Sequence, residues 1–191
     1  MTDSKRKIIV AVTGASGSVY AQKLIVRLSA LKPAPAEIAV VFSGTAREIW
    51  EAEIGGHFEA TPPAKIYENN TFLAPFASGS STFDTMIICP LSMGTLGRIA
   101  NGISDDLICR AADVILKERR RLIIVPRETP YNLIHIRNME TLTLAGAVIC
   151  PATPSFYNKP LTIDDLVMTV VDRVVTLAGF ESDSYQWMAY D

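Results

Sequence analysis

Five times along the chain a short uncharged run of mostly β-branched residues gives way to a turn of small, capping or proline residues: Ile8 to Val12, Ile38 to Phe42, Met86 to Cys89, Leu122 to Val125 and Val148 to Cys150. Runs of three to five residues without polar alternation are strands buried on both faces, which requires helices on both sides of a parallel sheet. Residues at helical spacing fill the intervals. Leu24, Leu28 and Leu31 mark the first helix, Val19 to Leu31. Ser43 caps a second that stops at Gly55-Gly56, Ser92 a third that runs to Gly102, and Asp105 begins a fourth that reaches Glu118. Thr129-Pro130 predicts a cap with proline at the first helical position, and Thr162 to Ala178 a last amphipathic helix. The expected fold is a three-layer α/β/α doubly wound, Rossmann-like domain with a mostly parallel sheet of about six strands. Residues 57–82 are irregular, with a possible sixth strand at Lys65 to Tyr67, and Pro90 is expected to end the Met86 strand.

With 191 residues the chain fits one domain, 1–191, in which residues 180–191 form a tail. Eighteen Lys+Arg against twenty Asp+Glu leave no electrostatic footprint for nucleic acid or an anionic membrane. Hydrophobic residues are 49% and charged residues 20%, so part of the apolar surface is expected between subunits. Cys89, Cys109 and Cys150 are odd in number and lack C-x-x-C spacing, as reduced thiols of a cytoplasmic protein would be. Ile8 to Val12 is too short for a signal-peptide core, and Thr141 to Asn158 carries Gly146, Pro151 and Pro154, which disfavour a membrane span. Two histidines, His57 and His135, rule out a histidine-rich metal site. His135 reads as a packed helix residue.

In a doubly wound sheet, ligands sit at the carboxyl ends of the strands, so the turns there carry the chemistry. Gly14-Ala15-Ser16-Gly17 offers backbone N–H groups, a hydroxyl and a helix start, which suits a phosphate or a flavin edge; a ligand-free tight turn explains it equally well. G-x-G-x-x-G, the P-loop and the nucleophile elbow are all absent there. Ser92-Met93-Gly94-Thr95 is either a second ligand turn or a simple cap. Arg127-Glu128 after a core strand places an anion clamp beside a carboxylate that can transfer a proton, against a surface ion pair as the alternative. Lys117 is expected to face inward from an otherwise solvated basic helix end, and Arg173 to sit partly buried within an apolar helix.

Taken in order, Thr13-Gly14-Ala15-Ser16-Gly17, Cys89 to Leu96, Arg110 to Val114 with Leu116 to Arg120, Arg127-Glu128-Thr129-Pro130 and Pro154-Ser155-Phe156-Tyr157 resemble the UbiX family of flavin prenyltransferases. Leu91 and Gly94 stand where many members have Cys and Lys. The resemblance implies that FMN is held by Gly14, Ala15, Ser16, Ser43, Ser92, Met93, Gly94, Thr95 and Arg127. It implies that dimethylallyl monophosphate meets Lys117, Arg127, Glu128, Tyr157, Arg173 and Trp187, with Ser16, Glu128, Lys117 and Tyr157 catalytic. The implied reaction joins the dimethylallyl group to N5 and C6 of reduced FMN without a metal, in a dodecamer whose site lies at a subunit boundary. The prenylated FMN would serve a separate decarboxylase of the UbiD type. Breaking an allylic C–O bond leaves negative charge on phosphate and positive charge on carbon, which a cluster of basic residues and π faces accommodates.

Two rival readings remain. An FMN-dependent decarboxylase of the cysteine-decarboxylase group would share the fold but typically has a histidine near the first turn, where this chain has none before His57. A non-catalytic flavin carrier would have no use for a second phosphate site.

Overall fold

In the computed structural model, which describes residues 6–181, each buried run is a strand. They are β1 (Lys7–Val12), β2 (Glu37–Phe42), β3 (Ala64–Glu68), β4 (Phe83–Leu91), β5 (Arg121–Pro126) and β6 (Val148–Ile149). They form one sheet in the order β3-β2-β1-β4-β5-β6, and every neighbouring pair is parallel. Along β1 the pleat sends Ile8, Val10 and Val12 into one core cluster and Ile9 and Ala11 into the other. Both faces therefore need cover. The first receives α1 (Ser18–Ser29), α2 (Gly44–Glu53) and α6 (Ile163–Leu177); the second receives α3 (Met93–Ala100), α4 (Leu107–Lys117) and α5 (Leu133–Leu144). Each fully buried aliphatic side chain in these layers contributes about 1.5–3 kcal/mol. At the amino edge Arg6 ties the sheet to the end of α6, donating to Asp84 Oδ1 at 3.1 Å, Thr85 Oγ1 at 2.8 Å and the Ala178 carbonyl at 2.9 Å. No helix among the described residues is long and apolar enough to cross a membrane.

Three local expectations are corrected. Pro90 does not end β4, which continues to Leu91. The register shifts between Ile88 and Leu91, so the missing proline N–H falls where the ladder is already interrupted. Thr129-Pro130 does not start α5: Asn132 caps it, accepting from the His135 N–H at 2.9 Å while His135 Nδ1 accepts from the Asn132 N–H. Asp106 rather than Asp105 caps α4, accepting from the Cys109 N–H at 2.8 Å.

Candidate active site

The strand order reverses between β1 and β4, and the crevice at their carboxyl ends is stitched by Thr13. Its hydroxyl donates to the Pro90 carbonyl at 2.9 Å and accepts from the Ser92 N–H at 2.7 Å, so the two turns that follow these strands are held side by side. The Arg127 N–H donates to the Leu91 carbonyl at 3.2 Å and brings the end of β5 alongside. Ser92 caps α3 and Ser43 caps α2, each accepting from the N–H three residues on. A methyl added at Gly44 or Gly94 would meet nothing within 4 Å, so open space lies beside both caps. Leu91, by contrast, is fully buried and faces the core.

The Gly14 to Ser18 turn differs from a plain anion cradle. Gly17 caps α1 at φ 109° with no side chain to cap it. The carboxylate of Glu53, at the end of α2, does so instead, accepting from the Gly17 N–H at 2.9 Å and the Ser18 N–H at 2.7 Å, and it is also hydrogen-bonded to the Ser16 side chain. Those N–H groups already hold an anion, so a phosphate there would meet like charge, whereas an uncharged hydrogen-bonding edge would not. Glu53 is 37 positions from Ser16 and belongs to no local motif, so only the fold reveals it. Burial alone would raise its carboxyl, but the hydrogen bonds from Ser16, Ser18 and Gly17 outweigh that and lower it from the usual 4.5. The stabilisation this gives is present above the unfolded-state value and lost as pH falls through the lowered one. Between about pH 5 and about pH 3, Tm of Glu53→Gln should therefore fall less than that of the wild type; an equal fall would show that the bonds do not stabilise the fold.

Gly17 also admits close neighbours. A methyl there would lie 2.9 Å from Tyr20 Cδ2 and 3.9 Å from Arg127 Cγ, so the tyrosine ring and the arginine stem converge on the bare glycine. Burial raises the Tyr20 hydroxyl, as does Cys89, and the Arg127 charge partly offsets both. Arg127 is exposed just past the end of β5, and among the described residues it has no ion pair. Glu128 is exposed beside it and accepts from the Thr129 N–H through Oε1 at 2.9 Å. The thiols are poor nucleophiles here: burial pushes Cys89 upward, and burial with Asp106 pushes Cys109 to about 12.

Of the remaining expected residues, Lys117 lies away from this cluster within one chain. Lys117 does not face inward; it is exposed at the end of α4, paired with Glu118 at 2.7 Å, and packs by Gly79 ahead of β4. That is the amino edge of the sheet, roughly 17 Å of strand from Arg127. Arg173 is exposed rather than partly buried, because it lies on the outer side of α6 between the inward-facing Val171 and Val174; its charge is felt by the half-buried Cys150. Tyr157 is 66% exposed in the loop after β6, which is tied to α6 by a bond from the Ser155 N–H to Thr169 Oγ1 at 3.1 Å. Trp187 lies outside the described residues.

A family model described as Flavoprotein matches residues 1–175. The chain is 43% identical over 182 residues to the flavin prenyltransferase UbiX of Methanocaldococcus jannaschii, which covers 94% of this chain and 97% of that protein. Among solved structures, AnUbiX (PadA1) in complex with FMN and dimethylallyl pyrophosphate matches with a TM-score of 0.88 and 41% identity, covering 98% of this chain and 100% of that one. A dodecameric FMN-dependent UbiX-like decarboxylase from Escherichia coli O157:H7 matches at 0.87 and 38% identity, covering 96% and 100%. The cysteine decarboxylase TvaF, at 18% identity and a TM-score of 0.59, shares the fold alone. Identity near 40% over almost the full length of both chains, on the same parallel sheet, settles the family: this chain is a flavoprotein of the UbiX flavin prenyltransferase family.

Proposed function

We propose that the protein transfers the dimethylallyl group of dimethylallyl monophosphate to N5 and C6 of reduced FMN, and that the prenylated FMN serves a separate decarboxylase of the UbiD type. The observation that carries the reading is the crevice at the β1/β4 reversal, where the Ser16 turn, the Ser92–Thr95 cap and Arg127 meet. FMN fits these residues: Gly14, Ala15 and Ser16 present a turn suited to a neutral ring edge, while Ser43, Ser92, Met93, Gly94, Thr95 and Arg127 bring hydroxyls, a cation and two helix starts, with open space beside Gly44 and Gly94. Reduced FMN, when bound, supplies the nucleophilic positions. The chain's own part is to orient and to move protons. Ser16, held by Glu53, orients the flavin edge and relays a proton there. Lys117, Arg127, Arg173 and Tyr157 hold the phosphate, and Glu128 delivers a proton to the departing phosphate oxygen.

Because Lys117 and Glu128 of one chain sit at opposite edges of the sheet, this reading requires a neighbour's Lys117 to complete each site. A homo-oligomer, like the dodecameric relative, provides that. The apolar residues it would cover are present: Ile134 is 66% exposed, Leu161 93% and Ile163 77%. A cytoplasmic setting suits the three unpaired thiols.

The test is anaerobic incubation of the protein with reduced FMN and dimethylallyl monophosphate, followed by mass spectrometry of the extracted flavin. A flavin heavier by one C5 unit is expected; unmodified FMN from a protein that binds both ligands would favour a carrier. A parallel sample with dimethylallyl pyrophosphate, the ligand in the AnUbiX complex, measures the preference for the monophosphate.

A further inference from the structure

Arg98 belongs to no local sequence motif, yet it connects the α4 cap to the Ser92–Thr95 turn. Its Nη1 donates to Asp106 Oδ2 at 2.8 Å and to Asp105 Oδ1 at 2.9 Å, and Asp106 caps α4 through its other oxygen. Its Nη2 donates to Thr95 Oγ1 at 3.2 Å, and Ser92 Oγ donates to that same oxygen at 3.1 Å. Thr95 is 3% exposed. A hydroxyl oxygen accepts two hydrogen bonds and donates one. Both accepting positions of Thr95 are taken, and no described residue accepts its proton.

We infer that Arg98 is a positioning residue that commits the Thr95 hydroxyl to donate to an acceptor oxygen of bound FMN. The inference rests on the flavin reading of this crevice. With its charge shared between two aspartates, Arg98 is engaged as a donor to Thr95 and the α4 cap, not as a phosphate clamp. The fork geometry is what allows it to bridge both: one nitrogen faces the aspartates and the other faces Thr95. The same pairing explains the close grouping of Asp105, Asp106 and Cys109, whose carboxylates are already occupied by Arg98 and by the cap.

The test is a double-mutant cycle on FMN affinity, measured by flavin fluorescence quenching on the apo-assembly, with Arg98→Lys, Thr95→Val and the pair. Lysine keeps the charge beside the aspartates but cannot fork to Thr95 as well. Arg98→Lys should weaken FMN roughly five- to tenfold in the wild-type background, and less than about twofold when Thr95 is already valine. Equal weakening in both backgrounds would overturn the inference and leave Arg98 a structural residue. Arg98→Gln runs the same cycle if the lysine variant does not fold. A wild-type protein without measurable FMN affinity would remove the flavin reading itself, an outcome separate from additive losses.

Discussion

Glu128→Gln should slow formation of prenylated FMN by about 10²–10⁴-fold while leaving FMN affinity unchanged. The carboxylate follows β5 directly and stands beside Arg127, with one oxygen already accepting from the Thr129 N–H at 2.9 Å. The other oxygen can carry a proton to a phosphate that departs as an anion; an amide can occupy the same volume and donate a hydrogen bond, but it cannot give up an acidic proton. The loss should therefore fall on the single-turnover rate constant of the bound complex. Turnover equal to the wild type would take Glu128 out of the proton transfer and leave it as a neighbour of the clamp.

Gly17→Ala is expected to destabilise the fold and to abolish tight FMN binding together. The position has φ 109°, in the region L-residues avoid, and a methyl would sit 2.9 Å from Tyr20 Cδ2. Backbone strain and the displaced ring together cost about 1–3 kcal/mol, a fall in Tm of roughly 2–10 °C for a chain of this size. Relief of the clash moves the N–H groups that Glu53 holds, and with them Ser16. Gly44→Ala is the stability control: nothing lies within 4 Å of the added methyl, and it should leave Tm unchanged or higher. Tm and FMN titration of the two variants check this; a Gly17→Ala protein with wild-type Tm and affinity would refute the role given to the turn.

The strands of this fold were legible because a parallel sheet buried on both sides leaves almost no polar residue in its middle strands: Ile8 to Val12 and Leu122 to Val125 are buried throughout. The edge strand β3 was only a possibility, since Lys65 and Glu68 are exposed there and break the pattern. The serine caps at Ser43 and Ser92 follow from their own chemistry, but the Asn132 box has His135 at its third position, a residue with no familiar capping signature. Pro90 reads as a strand end yet sits within β4, because a proline breaks a ladder only where its N–H is needed. The ligand turns could be placed from the order of strands and helices. Which end of the sheet Lys117 occupies follows from the direction of α4, and the partners Glu53 and Arg98 depend on contacts across the fold, 36 and 8 residues away in their longest bonds, that no local spacing encodes.

In the proposed site one active centre draws Lys117 from one chain and Glu128 from another. Lys117→Ala and Glu128→Gln proteins, each assayed alone and then co-expressed as mixed assemblies, test it most directly. Each alone should be nearly inactive, and random mixing should restore up to about a quarter of the wild-type sites, those that combine the intact lysine of one chain with the intact glutamate of the other. Mixed assemblies no more active than the separate variants would contradict the shared site, and with it the reading of Lys117 as a phosphate ligand delivered across a subunit boundary.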